Sequence, residues 1–397
     1  MANYGMSINE DYVAIKSFSE DKINIFPLFL AKKYNEDTFY ISEEAYKNRL
    51  SGIAIGVDKI FTLAMKQTNA TLDDKSYSAE DLLTIFFSIV LKQFNDIDNL
   101  CIVSFDNSTT TLNMINRIFL QLNSFYKRIY ISTFSEAISY YLLYQKAQNS
   151  FAFMELEDKR IKFYEAQFMK HINQDILIIK NHTIENVFSL DILEEEAGKK
   201  IADKILLNYA QKQLSEKEYN NIFLCGKGFE YKDYFKNFMN YICLKHKIKD
   251  ELYIFAIGAS YKAHDKANDE KIIRRYKLFN DARLMTTIYF KAKRDGVDID
   301  YPIAIAGDEW FKKVERVFVL PDNEDDITIY TSSINQKNPR ILKFPLITDL
   351  MRPNKSMKLR FKFTFSEPSK VDFEIMDKGF GDFYKQRGKN ISYEIEI

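Results

Sequence analysis

Apolar and polar residues alternate in short runs over the first 45 positions. Tyr12–Phe18 (YVAIKSF), Ile23–Leu30 (INIFPLFL) and Thr38–Ile41 are β-rich, and polar turns such as Ser19–Lys22 separate them. The period then lengthens. Ser78, with Asp81 three residues on, makes a capping box that opens a helix through Leu82, Leu83, Phe86, Ile89, Val90 and Leu91, apolar on more than one face. Leu100–Phe105 reads as a buried strand, Leu112, Ile115, Phe119 and Leu122 as a helical stripe, Arg128–Ile131 as a strand, and Phe134, Ile138 and Leu142 as the next helix. The same order returns. Ser150–Met154 and Ile161–Gln167 read as a hairpin with Asp175–Ile179 as its third strand. Leu190, Leu193, Ala197, Ile201 and Ile205 mark a long amphipathic helix, followed by strand 222–225 and helices 230–245 and 252–263. The pattern predicts an α/β protein with one plan used twice, over residues 1–150 and 151–265.

The rhythm changes after that. Asp265–Asp281 (DKANDEKIIRRYKLFND) is strongly charged, and the pattern predicts a helical connector over 266–284. From Met285 the strand-like segments are Met285–Ala292, Arg316–Leu320, Ile327–Ser333, Arg340–Leu346, Met357–Phe365, Val371–Met376 and Ile391–Ile397. Pro321-Asp322-Asn323, Arg352-Pro353-Asn354 and Asp377-Lys378-Gly379 supply turn signals between them. Strands at this spacing predict an antiparallel sandwich over 285–397.

Composition narrows the function classes. A chain of 397 residues, 46% of them hydrophobic, can bury two or three cores. Lys plus Arg equals Asp plus Glu at 56 each, so no strong field invites nucleic acid or an anionic membrane, and protein or peptide is the expected partner. The 33 Phe and 25 Tyr read as the imprint of an AT-rich bacterial genome rather than as a recognition surface. Cys101, Cys225 and Cys243 are too scattered for a disulfide framework, and His171, His182, His246 and His264 lack metal-ligand spacing. The longest apolar run, Leu82–Leu91, is far short of a span, and the N-terminus does not read as a leader. These features predict a cytoplasmic protein. Glycine is scarce, 12 in the chain, while phosphate-gripping loops need residues that accept positive φ and close approach.

Candidate chemistry lies in two segments. Asn221–Phe229 (NIFLCGKGF) is an apolar strand delivering a glycine pair, and Tyr253–Ala263 (YIFAIGASYKA) sets Gly-Ala in a helical pattern. Together with the duplicated plan, these segments resemble the actin-like ATPases, one lobe of which holds adenosine against such backbone. The following strands resemble the sandwich of the DnaK-type seventy-kilodalton heat-shock chaperones, in Glu315–Ser333, in Leu350–Asp382 (LMRPNKSMKLRFKFTFSEPSKVDFEIMDKGFGD) and in Asn390–Ile397. The resemblance implies an α/β two-lobed actin-like ATPase fold followed by an antiparallel β-sandwich of the substrate-binding type. It implies an adenosine side at Gly226, Lys227, Gly228, Phe229 and Gly258, and sets Lys47 in Glu44–Asn48 opposite the family's catalytic lysine. The plainer reading of the same glycines is a tight turn and close helix packing, and that of Lys47 is a surface lysine.

The phosphate side departs from the family. Gly5 stands where the first loop carries its acid and Ser7 where it carries glycine, in Tyr4–Asp11. The second loop corresponds to Met154–Lys159 (MELEDK) without a glycine, and Ser132 replaces a catalytic carboxylate. Phosphoryl transfer depends on cradling N–H groups and metal-assisted charge stabilisation, so a pseudo-ATPase with no catalytic residue is expected. No cofactor is expected; if a nucleotide binds, it is ATP or ADP at the glycines named above. The leading expectation is a chaperone-like protein- or peptide-binding protein. One alternative is an active ATPase or kinase with an unusual phosphate site, in which Glu155, Glu157 and Asp158 hold Mg²⁺ rather than forming a solvated hairpin turn. The other is a structural scaffold subunit of a complex.

Overall fold

The computed structural model describes residues 2–172, 174–215, 217–269, 271–311, 314–320, 326–333, 338–346, 356–386, 388 and 390–397. It divides into two compact units, Met1–Lys277 and Leu278–Ile397.

The first unit begins with β1 (Ala2–Ile8), β2 (Tyr12–Ser17), β3 (Ile23–Pro27), β4 (Leu30–Lys33), β5 (Phe39–Ile41), α1 (Ser42–Leu50), β6 (Ala54–Val57) and α2 (Ile60–Met65). It continues through β7 (Asn69–Leu72), β8 (Lys75–Ser78), α3 (Ala79–Leu91), β9 (Ile97–Ser104), α4 (Thr109–Gln121), β10 (Tyr126–Thr133) and α5 (Phe134–Tyr144). Then come β11 (Ser150–Glu157), β12 (Arg160–Met169), β13 (Asp175–Glu185), α6 (Glu196–Leu214), β14 (Asn221–Cys225), α7 (Lys236–Lys245), β15 (Ile248–Asp250), α8 (Ile254–Ala267) and β16 (Tyr276–Phe279).

One topology occurs twice. The first sheet runs β10-β9-β1-β2-β3, an antiparallel meander of β1, β2 and β3 with β9 and β10 added parallel to β1. The second runs β15-β14-β11-β12-β13-β16; β11, β12 and β13 form the meander, and β14 and β15 follow parallel to β11. Parallel neighbours need crossover connections, and helices supply them. The capping box at Ser78 is present: its Oγ accepts from the Asp81 N–H and donates to the Asp81 carboxylate at 2.6 Å. Between the sheets lie α5 and α8. Phe134 of α5 stacks on Phe255 of α8 with centroids 3.8 Å apart, and Tyr164 of β12 meets Phe255 at 5.9 Å.

Several stretches differ from the sequence reading; the helix expected from Leu190 is a 3₁₀ turn over Leu190–Glu194 and then α6. Tyr4–Ile8 is not part of a loop but the interior of β1, and the turn that follows is Asn9–Asp11. Helix 230–245 is a 3₁₀ segment over Lys227–Tyr234 and then α7. The charged connector is not a helix. Asp265, in the last turn of α8, accepts the Ile272 N–H at 2.6 Å and turns the chain back. A short 3₁₀ turn (Ile272–Arg275) and β16 follow, with Leu278 and Phe279 buried.

The second unit contains β17 (Thr286–Arg294), β18 (Val297–Ala304), β19 (Val314–Leu320), β20 (Asp326–Ser333), β21 (Arg340–Pro345), β22 (Met357–Glu367), β23 (Lys370–Asp377) and β24 (Asn390–Glu396). They form two antiparallel sheets, β18-β17-β20-β21 and β19-β22-β23-β24. Strand β18 was not anticipated. Leu359, Phe361, Phe363 and Phe365 of β22 are buried, and Phe290 of β17 lies 5.2 Å from Phe361 across the two sheets. The turn signals at Pro321-Asp322-Asn323 and Arg352-Pro353-Asn354 lie outside the described residues.

Candidate functional site

In the first unit the ends of β1 and β11 face one another across a seam. This is the place where the two sequence-predicted phosphate loops would meet. Side chains of the protein fill it. Tyr12, at the start of β2, donates its hydroxyl to Glu157 Oε1 at 2.7 Å, and the backbone N–H of Lys227 reaches the same oxygen at 3.3 Å. Glu155, 1% exposed, accepts from Arg160 at 2.9 Å and from the Tyr164 hydroxyl at 2.7 Å. The Arg160 guanidinium also lies over the Phe105 ring, 4.8 Å from its centroid, so it links the start of β12 to the residue that follows β9.

The strand geometry explains the grouping. Glu155 and Glu157 are two apart on β11 and project to one face, and Arg160 pairs in register with Glu157 on β12. Burial, and then the neighbouring Glu155, push the Glu157 carboxyl up to about 8, while Tyr12, Arg160 and the Lys227 N–H pull the other way. Burial and then Glu157 hold the Tyr12 hydroxyl well above the ordinary phenol range, so it remains a donor.

The acidic run MELEDK is thus a strand end and a hairpin turn. Met154 is buried in the core beneath β11. The Asp158 carboxylate accepts from Ser189 Oγ and the Leu190 N–H, each at 2.8 Å. Glu155, Glu157 and Asp158 are each engaged by protein donors, and among the described residues no cluster of His, Cys, Asp or Glu is arranged for a metal. The Arg160 Nε and Asn9 Oδ1 are buried without a hydrogen-bond partner.

The other predicted positions separate. Gly226 has φ +87° and turns β14 into the 3₁₀ segment, a conformation that favours glycine. A Cβ on Gly228 would lie 2.4 Å from Leu156 Cγ, and one on Gly258 would lie 2.0 Å from the Ala137 carbonyl oxygen of α5. The close approach at these glycines is made by the protein's own strand and helix. Phe229 is buried and stacks on Phe238, and Lys227 is exposed. Lys47 lies on the exposed face of α1, 4.0 Å from Glu43. Gly5 packs against α8, where a Cβ would lie 2.1 Å from the Ser260 nitrogen. Ser132, on β10, accepts from Lys262 Nζ at 2.8 Å, and Lys262 also pairs with Glu136 at 3.3 Å, all three buried. Sequence reasoning missed Tyr12, Arg160 and Lys262. Only Arg160, three residues past an acidic strand end, carried a local signal.

Residues 11–281 match the model of a family of unknown function, the DUF5716 C-terminal family, and residues 283–397 match a domain of unknown function, DUF8552. No curated protein matches. Among solved structures, a non-polymerising MamK mutant bound to AMPPNP superposes on 66% of this chain and 98% of its own, with a TM-score of 0.37 and 10% identity. A superposition at that level says nothing about what this chain binds.

Proposed function

We propose that the chain, which belongs to the DUF5716 C-terminal family, is a non-hydrolysing, protein-binding scaffold of actin-like type. One observation carries the reading. In the seam between the two meanders Tyr12 donates to Glu157 and Arg160 to Glu155. Phosphoryl transfer needs that volume for phosphates, a metal and cradling N–H groups. A seam tied shut by side chains suits a body that presents surfaces, and the two-sheet second unit adds another. The chaperone-like alternative rests on the sequence resemblance of the second unit, and neither family description names a chaperone.

The test is phosphate release from Mg·ATP by the purified chain. Release no faster than a buffer control is expected. Turnover of about 1 per second or more, which is ordinary for enzymes, overturns the reading. Calorimetry with ATP and ADP completes it. Binding of either would restore a nucleotide to the chain without restoring catalysis.

A further inference from the structure

We propose that the free edge of β19 is a docking strand for an extended, acidic segment of a partner protein, which adds to the sheet on the side away from β22. The inference rests on the proposed scaffold role and names the surface and the chemistry of what binds there. Strand β19 stands at the end of the sheet β19-β22-β23-β24. One side is paired with β22 from Val314 to Leu320, and among the described residues no strand is bonded to the other. Such an edge offers backbone N–H and C=O groups that an incoming strand completes.

The other edges of these two sheets are blunted, and β19 is not. Strand β18 carries Asp298, Asp300 and Pro302, residues that discourage pairing. Strands β21 and β24 close on one another: the Tyr393 hydroxyl donates to the Pro345 carbonyl oxygen at 2.8 Å, and Arg340 to that of Glu396 at 3.2 Å. On β19, Phe318 turns inward and lies 5.4 Å from both Phe361 and Tyr301. Val317 and Val319 therefore turn outward, 48% and 52% exposed, with no proline beside them in the strand. The neighbouring charges set the sign of the partner. Lys358 is in register with Val319, Arg360 with Val317 and Lys362 with Glu315. Glu315 answers Arg360 at 3.7 Å, and Glu374 answers Lys362 at 2.8 Å. Lys358 and Arg316 are exposed, and among the described residues neither meets a carboxylate; the Arg316 guanidinium donates to the Glu315 carbonyl oxygen. An acidic strand with apolar residues opposite the valines supplies what this edge lacks: ladder bonds, apolar cross-strand pairs and negative charge at both cations. A second copy, paired edge to edge about a two-fold axis, would bring the same cations to the same seam, like against like.

Fluorescence anisotropy of the intact chain tests this, with a labelled peptide of alternating Val and Glu about ten residues long. Binding is expected, weakened by salt, and at least about tenfold weaker for the matching Val–Lys peptide. Strand addition uses every second peptide amide, so N-methylation of one alternate set or the other should abolish binding. Arg316→Glu combined with Lys358→Glu should reverse the preference between the two peptides. Both side chains lie in water, and the urea midpoint of this variant is the control for its fold. No binding of the Val–Glu peptide, equal binding of both peptides, indifference to methylation at either set or an unreversed preference overturns the docking strand. So does a chain dimer that the peptide leaves intact and Val319→Lys separates, which would assign the edge to a second copy. ATP turnover with peptide binding retained would overturn the non-hydrolysing reading alone, and absence of both would overturn the docking strand alone.

Discussion

Gly258 and Ala137 meet backbone to backbone: a Cβ on residue 258 would lie 2.0 Å from the Ala137 carbonyl oxygen and 2.5 Å from its carbonyl carbon. The contact sets how closely α5 and α8 pack, and with it the spacing of the two sheets those helices separate. Gly258→Ala must push main chain against main chain, where no flexible side chain can yield. A loss of at least about 1–3 kcal/mol is expected, the usual range for overpacking. Urea unfolding measures it. An unchanged midpoint would mean that the helices slide freely and that the small residue has no packing role.

Lys262 and Glu136 form the second test. Both are buried, and Lys262 also donates to Ser132. Removing one partner of a buried pair leaves an uncompensated charge, so Lys262→Met should cost about 3–5 kcal/mol. Replacing both, as Lys262→Met with Glu136→Leu, should recover most of that loss. A double-mutant cycle in urea reads the coupling, and additive losses would show that the pair is not an energetic unit.

The third prediction concerns the second unit. Its two antiparallel sheets share a core in which Phe290, Phe361, Phe363 and Phe373 touch. A fragment covering 278–397 should fold alone and melt in a single transition followed by circular dichroism in the strand region. A broad, non-cooperative melt would show that this core depends on the first unit.

The elements easiest to read in the sequence were those whose burial follows one period. Met357–Phe365 alternates strictly, and its apolar face became core; Ser78 and Asp81 announce α3 by a local bond. Strand β1 escaped because ANYGMSI mixes small and polar residues, and its burial comes from its neighbours, β9 and β2 beside it and α8 against one face. Strand β18 escaped because its first half, VDIDY, is largely solvent-facing. Gly228 and Gly258 stand out in the sequence, but what meets them is Leu156 and Ala137, and only the tertiary fold supplies those. The Tyr12–Glu157 bond is a relation between distant strands that no local pattern encodes.

The packing of α8 on β1 also constrains the order in which the chain can be completed as it is made. The Ala256 and Ser260 backbone that covers Gly5 is synthesised some 250 residues after it. At the pace of translation that interval is on the order of tens of seconds. Through it, one face of the central strand of the first sheet stays open to water and to other chains. The first half of this protein is thus finished by its own later half, and a ribosome stalled before Ile254 would carry an incomplete lobe rather than a finished one.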